Sequence, residues 1–151
     1  MKRTILLTFA LCLMTSAAFA GGFGLRGGLT LDPDQFHFGG HYNVGQIFEP
    51  MRLVPNVEVG FGDNHTFWAL NADLIWDIPE SAFSIGGELG LNIVHVDVGR
   101  DPITGIDYSD TRSDFGLSIL GDYRFNAQWF GEMKLGLSDS PDLKLTVGFD
   151  L

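Results

Sequence analysis

The residues of this chain that could do acid–base or metal chemistry are four histidines and 19 Asp and Glu side chains. His37 and His41 stand four residues apart. On a helix that spacing makes a ligand pair. Along a strand, at about 3.3 Å per residue, it separates the rings by about 13 Å, too far to share an ion. His65 and His95 stand alone, and no histidine has a serine two residues after it. There is no G-x-S-x-G nucleophile elbow. The single cysteine, Cys12, falls inside the first twenty residues. The carboxylates show no spacing that marks an acid/base couple. The chain therefore offers no catalytic residue, no metal ligand set and no sign of a cofactor, and a non-enzymatic role is expected.

The elements that must carry these side chains come in two parts. Met1, Lys2 and Arg3 form a basic start, Ile5 to Met14 is apolar but short, and Ala18-Phe19-Ala20 puts small residues at −3 and −1. This pattern is a secretory signal peptide over residues 1–20, leaving one mature domain over 21–151. Beyond Ala20 the chain has 7 Lys and Arg against 19 Asp and Glu, a net charge of −12. So acidic a chain is a poor partner for nucleic acid, whose phosphates need Lys and Arg. With 20 glycines in 151 residues, a mainly helical domain is also disfavoured.

Period-two alternation dominates the mature chain. Trp68, Leu70, Ala72, Leu74 and Trp76 point one way and Phe67, Ala69, Asn71, Asp73 and Ile75 the other. The same rhythm runs from Phe83 to Ile93, Asp114 to Phe125, Trp129 to Ser138 and Leu143 to Leu151, and more noisily through Phe23–Leu31, Phe36–Val44 and Asn56–Phe61. That makes eight strands of roughly 9–16 residues, broken by turn chemistry such as Asp32-Pro33-Asp34, Glu49-Pro50 and Gly62-Asp63-Asn64. One connection, Gly99 to about Arg112, reads as a long loop. Every connection is hairpin-like, so the fold class is all-β, an antiparallel up-and-down meander.

Which face meets solvent follows from three features. Glycine concentrates on the polar face, as a crowded eight-stranded lumen requires. The polar face is too poor in charge for a soluble surface. With the N-terminus at the periplasmic side, Phe23, Tyr42, Trp76, Phe83, Phe125, Trp129 and Phe149 fall at one level of the apolar face, as an aromatic girdle at a membrane interface does. The expected fold is an eight-stranded transmembrane β-barrel with its apolar side outward.

On these residues the whole mature chain resembles the small eight-stranded outer-membrane β-barrel proteins of Gram-negative bacteria. It departs from them at its last residue, Leu151, where such barrels end in an aromatic; Phe149 stands two before. The resemblance implies export to the outer membrane, contact with outer-membrane lipid and lipopolysaccharide, passage through the barrel-insertion machinery, and a monomer. It implies a structural or surface-interaction role with a narrow, plugged lumen. Outer-membrane lipid A deacylases share the architecture but pair His and Ser two apart on a strand, which this chain does not. A soluble secreted barrel binding an apolar ligand inside is the other alternative.

The inward face should hold a charge network of Arg26, Glu58, Asp73, Glu88, Asp122, Arg124, Glu132, Lys134 and Lys144, with Asp150 beside it. Charges in so confined a space must pair, and Glu88 and Asp122 are expected to meet inward basic groups such as Arg124 or Arg26. The outer loops should form an acidic rim, including Asp101, Asp107 and Asp110, of hard ligands suited to divalent cations.

Overall fold

A computed structural model describes residues 22–32, 34–63, 65–100 and 107–151. The expected signal segment and Asp101 of the expected rim lie outside the described residues. The strands are β1 (Phe23–Leu31), β2 (Gln35–Tyr42), β3 (Gly45–Phe48), β4 (Met51–Gly62), β5 (His65–Asp77), β6 (Phe83–Arg100), β7 (Asp107–Arg124), β8 (Trp129–Ser138) and β9 (Leu143–Asp150). All neighbouring strands pair antiparallel. β1 pairs with β9, and β2 pairs with β4 as well as with β1, which closes the sheet into a barrel.

Nine segments make eight staves because the second stave is broken. β2 and β3 both lie along β4, separated at Asn43 and Val44. The Asn43 side-chain carbonyl accepts the Gly45 amide at 3.0 Å, and Gly45 takes φ 91°, a conformation that suits glycine alone. The bend redirects the chain into the turn around Glu49-Pro50.

The alternation expected from the sequence is the alternation of the wall. In β5, Phe67, Ala69, Asn71, Asp73 and Ile75 are buried, while Trp68, Leu70, Leu74 and Trp76 are exposed. Inward glycines let the wall close and make room for large inward rings. A Cβ at Gly28 would overlap the Leu145 carbonyl of β9, and one at Gly148 would overlap the Phe130 ring.

Two expectations are corrected. The stretch Gly99 to Arg112 is not a long loop. β6 and β7 run 18 residues each and stay paired as far as Arg100↔Asp107. Asp107 therefore opens a strand, and Asp110 lies within it. Polar, exposed alternation carries no hydrophobic period, so the sequence pattern misses strands that leave the membrane. The third stave also starts earlier than Asn56. It includes Met51 to Pro55, and Pro55 hides that continuation.

The barrel has two rims. The ends of β1 and β9 meet at one, where the Leu151 amide donates to the Phe23 carbonyl at 2.8 Å. The turns after β3, β5 and β7 share this terminal rim. The opposite, loop rim carries the turns after β1, β4 and β8 and the far end of the β6–β7 hairpin.

Candidate functional site

Alternation and strand shear together bring the inward charges of six staves to the middle of the lumen. Asp73 of β5 is the hub and is fully buried. Its carboxylate accepts from Arg26 of β1 at 3.1 Å, from Lys134 of β8 at 2.9 Å and from Asn56 of β4 at 3.0 Å. Lys134 also bonds Glu88 and stands 3.2 Å from Glu132. Arg26 lies 3.5 Å from both Glu58 and Glu132, and Lys144 bonds Glu58. Every member of this cluster is buried, with three cations interleaved among four carboxylates.

A second cluster sits toward the terminal rim. Arg52 donates to Asp77 at 2.9 Å and to Asp122 at 3.1 Å. Arg124 pairs with Asp150, which also meets His41 Nε2 at 2.7 Å. Phe130 fills the space between the clusters, with the Arg26 and Arg124 guanidinium groups 5.7 and 5.3 Å from its ring centre. Such cation–π contacts strengthen where water is excluded. Beside it, Val54, Ile75 and Leu120 form a small apolar core. The cavity left among these groups has a volume of about 10 Å³, room for about one water molecule.

All nine residues expected in the charge network thus point inward, and Glu88 and Asp122 each meet an inward basic group as expected, though not the two arginines named as examples. Glu88 meets Lys134, and Asp122 meets Arg52. Neither meets Arg26 or Arg124. Partners across a barrel depend on shear, which a strand-by-strand reading does not contain. Arg52 is absent from the sequence reading altogether. Stepping back by twos from Glu58 through Asn56 and Val54 would have reached it.

The histidines serve the lumen and the turns. His37 is held between the Thr30 and Thr146 hydroxyls at 3.0 Å each. His65 bonds the Asp63 carbonyl at 2.8 Å, and His95 bonds the Thr111 hydroxyl at 2.9 Å. Among the described residues, no group of three or more His, Cys, Asp or Glu side chains is arranged to hold a metal ion.

On the outer wall, the expected girdle residues gather along the terminal rim. Phe23 packs on Tyr42 at 4.8 Å between ring centres, Trp129 on Phe149 at 4.9 Å, and Phe83 and Phe125 flank Tyr123 at 4.6 and 5.2 Å. Trp76 is half exposed on the same face. Tyr123 extends the expected set. At the loop rim, Asp110 pairs with Arg112 at 3.0 Å, both well exposed.

A wall apolar outside and charged inside defines the class: this chain has the fold of the small eight-stranded outer-membrane β-barrels. Among solved structures, the N-terminal β-barrel domain of Pseudomonas aeruginosa OprF is similar at a TM-score of 0.59 and 14% identity, covering 87% of this chain and 96% of that one. The attachment invasion locus protein Ail of Yersinia pestis, solved in complex with the heparin analogue sucrose octasulfate, is similar at a TM-score of 0.58 and 13% identity, covering 86% and 94%. Ail in a phospholipid bilayer nanodisc gives 0.53 at 12% identity, covering 87% and 99%. No protein-family model matches the chain. No curated protein matches it either.

Proposed function

We propose that the mature chain is an integral outer-membrane barrel that acts as a non-catalytic scaffold and presents the β6–β7 hairpin at the cell surface. The observation that carries this reading is the inverted wall. Leu25, Leu70, Ile85, Leu89, Ile119 and Val147 are all about half exposed, while Arg26, Asp73, Glu88 and Lys134 are buried. Water would penalise that outer face heavily, and hydrocarbon favours it. A soluble barrel with an apolar ligand inside is disfavoured, because the lumen is charged and filled.

The surface role rests on the hairpin. β8 stops pairing with β7 at Leu117↔Ser138, and β5 stops pairing with β6 at His65↔Val96. β7 therefore runs on from Leu117 to Asp107 without β8 beside it, about 30 Å of strand. Unpaired strand edges are templates for other chains. The loop rim carries Asp32, Asp34, Asp63, Asp110, Asp114, Asp139 and Asp142, so it favours cationic partners, or lipopolysaccharide through bridging divalent cations. A polyanion such as the one solved with Ail is a poor match for it. Outer-membrane lipid around the wall and the insertion machinery during assembly complete the partners of this reading, which has the barrel as a monomer that conducts no solute.

The test is fractionation with heat-modifiability. The mature protein should sediment with outer membranes, need detergent for release, and migrate differently on gels before and after boiling. Recovery in the soluble periplasmic or secreted fraction with no heat-dependent shift would overturn the reading.

A further inference from the structure

The lipid-facing wall is not smooth. A groove of about 670 Å³, lined almost wholly by apolar surface, crosses the outside of β1, β9, β8, β7 and β6. Its floor is Gly121 and Gly131, and its sides include Leu29, Leu145, Met133 and Ile85. Glycine inside a strand weakens it, and it marks a place where another backbone or a ligand comes close. A Cβ at Gly121 would meet nothing within 4 Å. At Gly131 the Phe125 ring lies 3.1 Å from such a Cβ, so the open part of the floor is at Gly121, where nothing in the described residues bars a ligand.

The register fixes the direction of the groove. Leu29, Leu145, Met133, Gly121 and Ile85 are successive partners across the five strands. Leu29 is six residues above Phe23 at the terminal rim, whereas Ile85 is only two above Phe83. The row therefore climbs from the girdle on β6 to mid-wall on β1. Four strand spacings give it a length of about 19 Å.

We propose that this groove holds one acyl chain of a glycerophospholipid from the leaflet at the terminal rim, as a retained lipid rather than freely exchanging solvent. The inference rests on the membrane reading above. Three observations select the occupant. The groove opens at Phe83 and Tyr123 of the girdle, the depth at which headgroups begin, so chain and headgroup can be satisfied together. Its lining is almost wholly apolar, because Asp122 and Glu132 behind it are buried against Arg52 and Lys134, and Tyr123 among its residues carries one neutral donor, which suits a single phosphate ester better than the several phosphates of lipopolysaccharide. Lipopolysaccharide also belongs to the leaflet at the loop rim. A second barrel is a poor filler: two convex walls meeting dent to dent leave a void and fall short of the roughly 1,200 Å² of a stable interface.

The experiment is native mass spectrometry of the full mature chain, folded in vesicles of phosphatidylethanolamine and phosphatidylglycerol and then released into increasing detergent. A single phospholipid adduct should survive on the native protein. Gly121→Leu fills the open floor and should lower the adduct at least tenfold, with an unchanged heat-modifiable band. Tyr123→Phe should weaken it severalfold. Equal retention by the native protein and Gly121→Leu would overturn the proposal, as would no adduct on either. A lipopolysaccharide adduct displacing phospholipid from protein purified out of cells would overturn it too, and so would a dimer lost on Gly121→Leu. Loss of the heat-dependent shift in the native protein would instead mark failure of the membrane reading itself.

Discussion

At the scale of residues, the lumen and the rims use charge in opposite ways. Asp73 sits between Arg26 and Lys134 with no access to water. Removing one partner of a buried ion cluster leaves the others uncompensated and costs about 3–5 kcal/mol. Asp110 and Arg112 form a pair of similar length in solvent, where such pairs contribute about 0–1 kcal/mol. Asp73→Ala should therefore lower stability by several kcal/mol in urea unfolding from lipid vesicles, while Asp110→Ala should change it by less than about 1. Equal effects would mean that the lumen is wet enough to screen its charges. The inward set was legible because parity alone assigns it. The pairing within it was not, since Glu88–Lys134 and Asp122–Arg52 arise from shear across the barrel.

At the scale of elements, the strands divide into a lipid-spanning part and a projecting part. Leu89 of β6 and Leu117 of β7 are paired partners with outward side chains about half exposed. Leu89→Arg or Leu117→Arg places a cation against hydrocarbon and should cost about 2–4 kcal/mol, read as slowed or lost heat-modifiable folding in vesicles. Normal folding of both variants would place this face outside the membrane. The projecting part has no such constraint. Replacing residues 98–108 by an Asn-Gly turn should leave the folded band intact, because the flanking Asp97 and Ser109 are register partners and two-residue loops of this type suit hairpins. Loss of folding in that variant would assign the hairpin a role in assembly. The two parts also explain what the sequence showed. Spanning strands such as Thr66–Trp76 announce themselves because lipid and lumen demand opposite chemistry at every second residue. Residues 110–114 are exposed on both faces, so no alternation of burial marks them as strand. The girdle was legible for the same reason as the wall: its rings fall at one height once strand directions alternate.

At the scale of the whole molecule, charge and chain direction together give the barrel an orientation. The buried clusters of the lumen nearly neutralise themselves, so the excess negative charge of the mature chain falls at the rims and on the hairpin. The first and last described residues, Gly22 and Leu151, lie at the terminal rim, where the connections are the tight turns around residues 49–50, 78–82 and 126–128. The opposite rim carries the projecting hairpin. Barrels of this kind put short turns on the periplasmic side and longer loops outside, so the proposed function expects the acidic rim and the β6–β7 edge to face out. The direction can be read chemically, because residues 21–151 contain no cysteine to compete with an introduced one. Ser113 on the projecting part of β7 and Ala127 in a terminal-rim turn are both exposed. Ser113→Cys should react with a membrane-impermeant maleimide on intact cells, and Ala127→Cys should react only after the outer membrane is permeabilised. The reverse pattern would invert the barrel, place the acidic edge in the periplasm, and move the groove's mouth to the lipopolysaccharide leaflet.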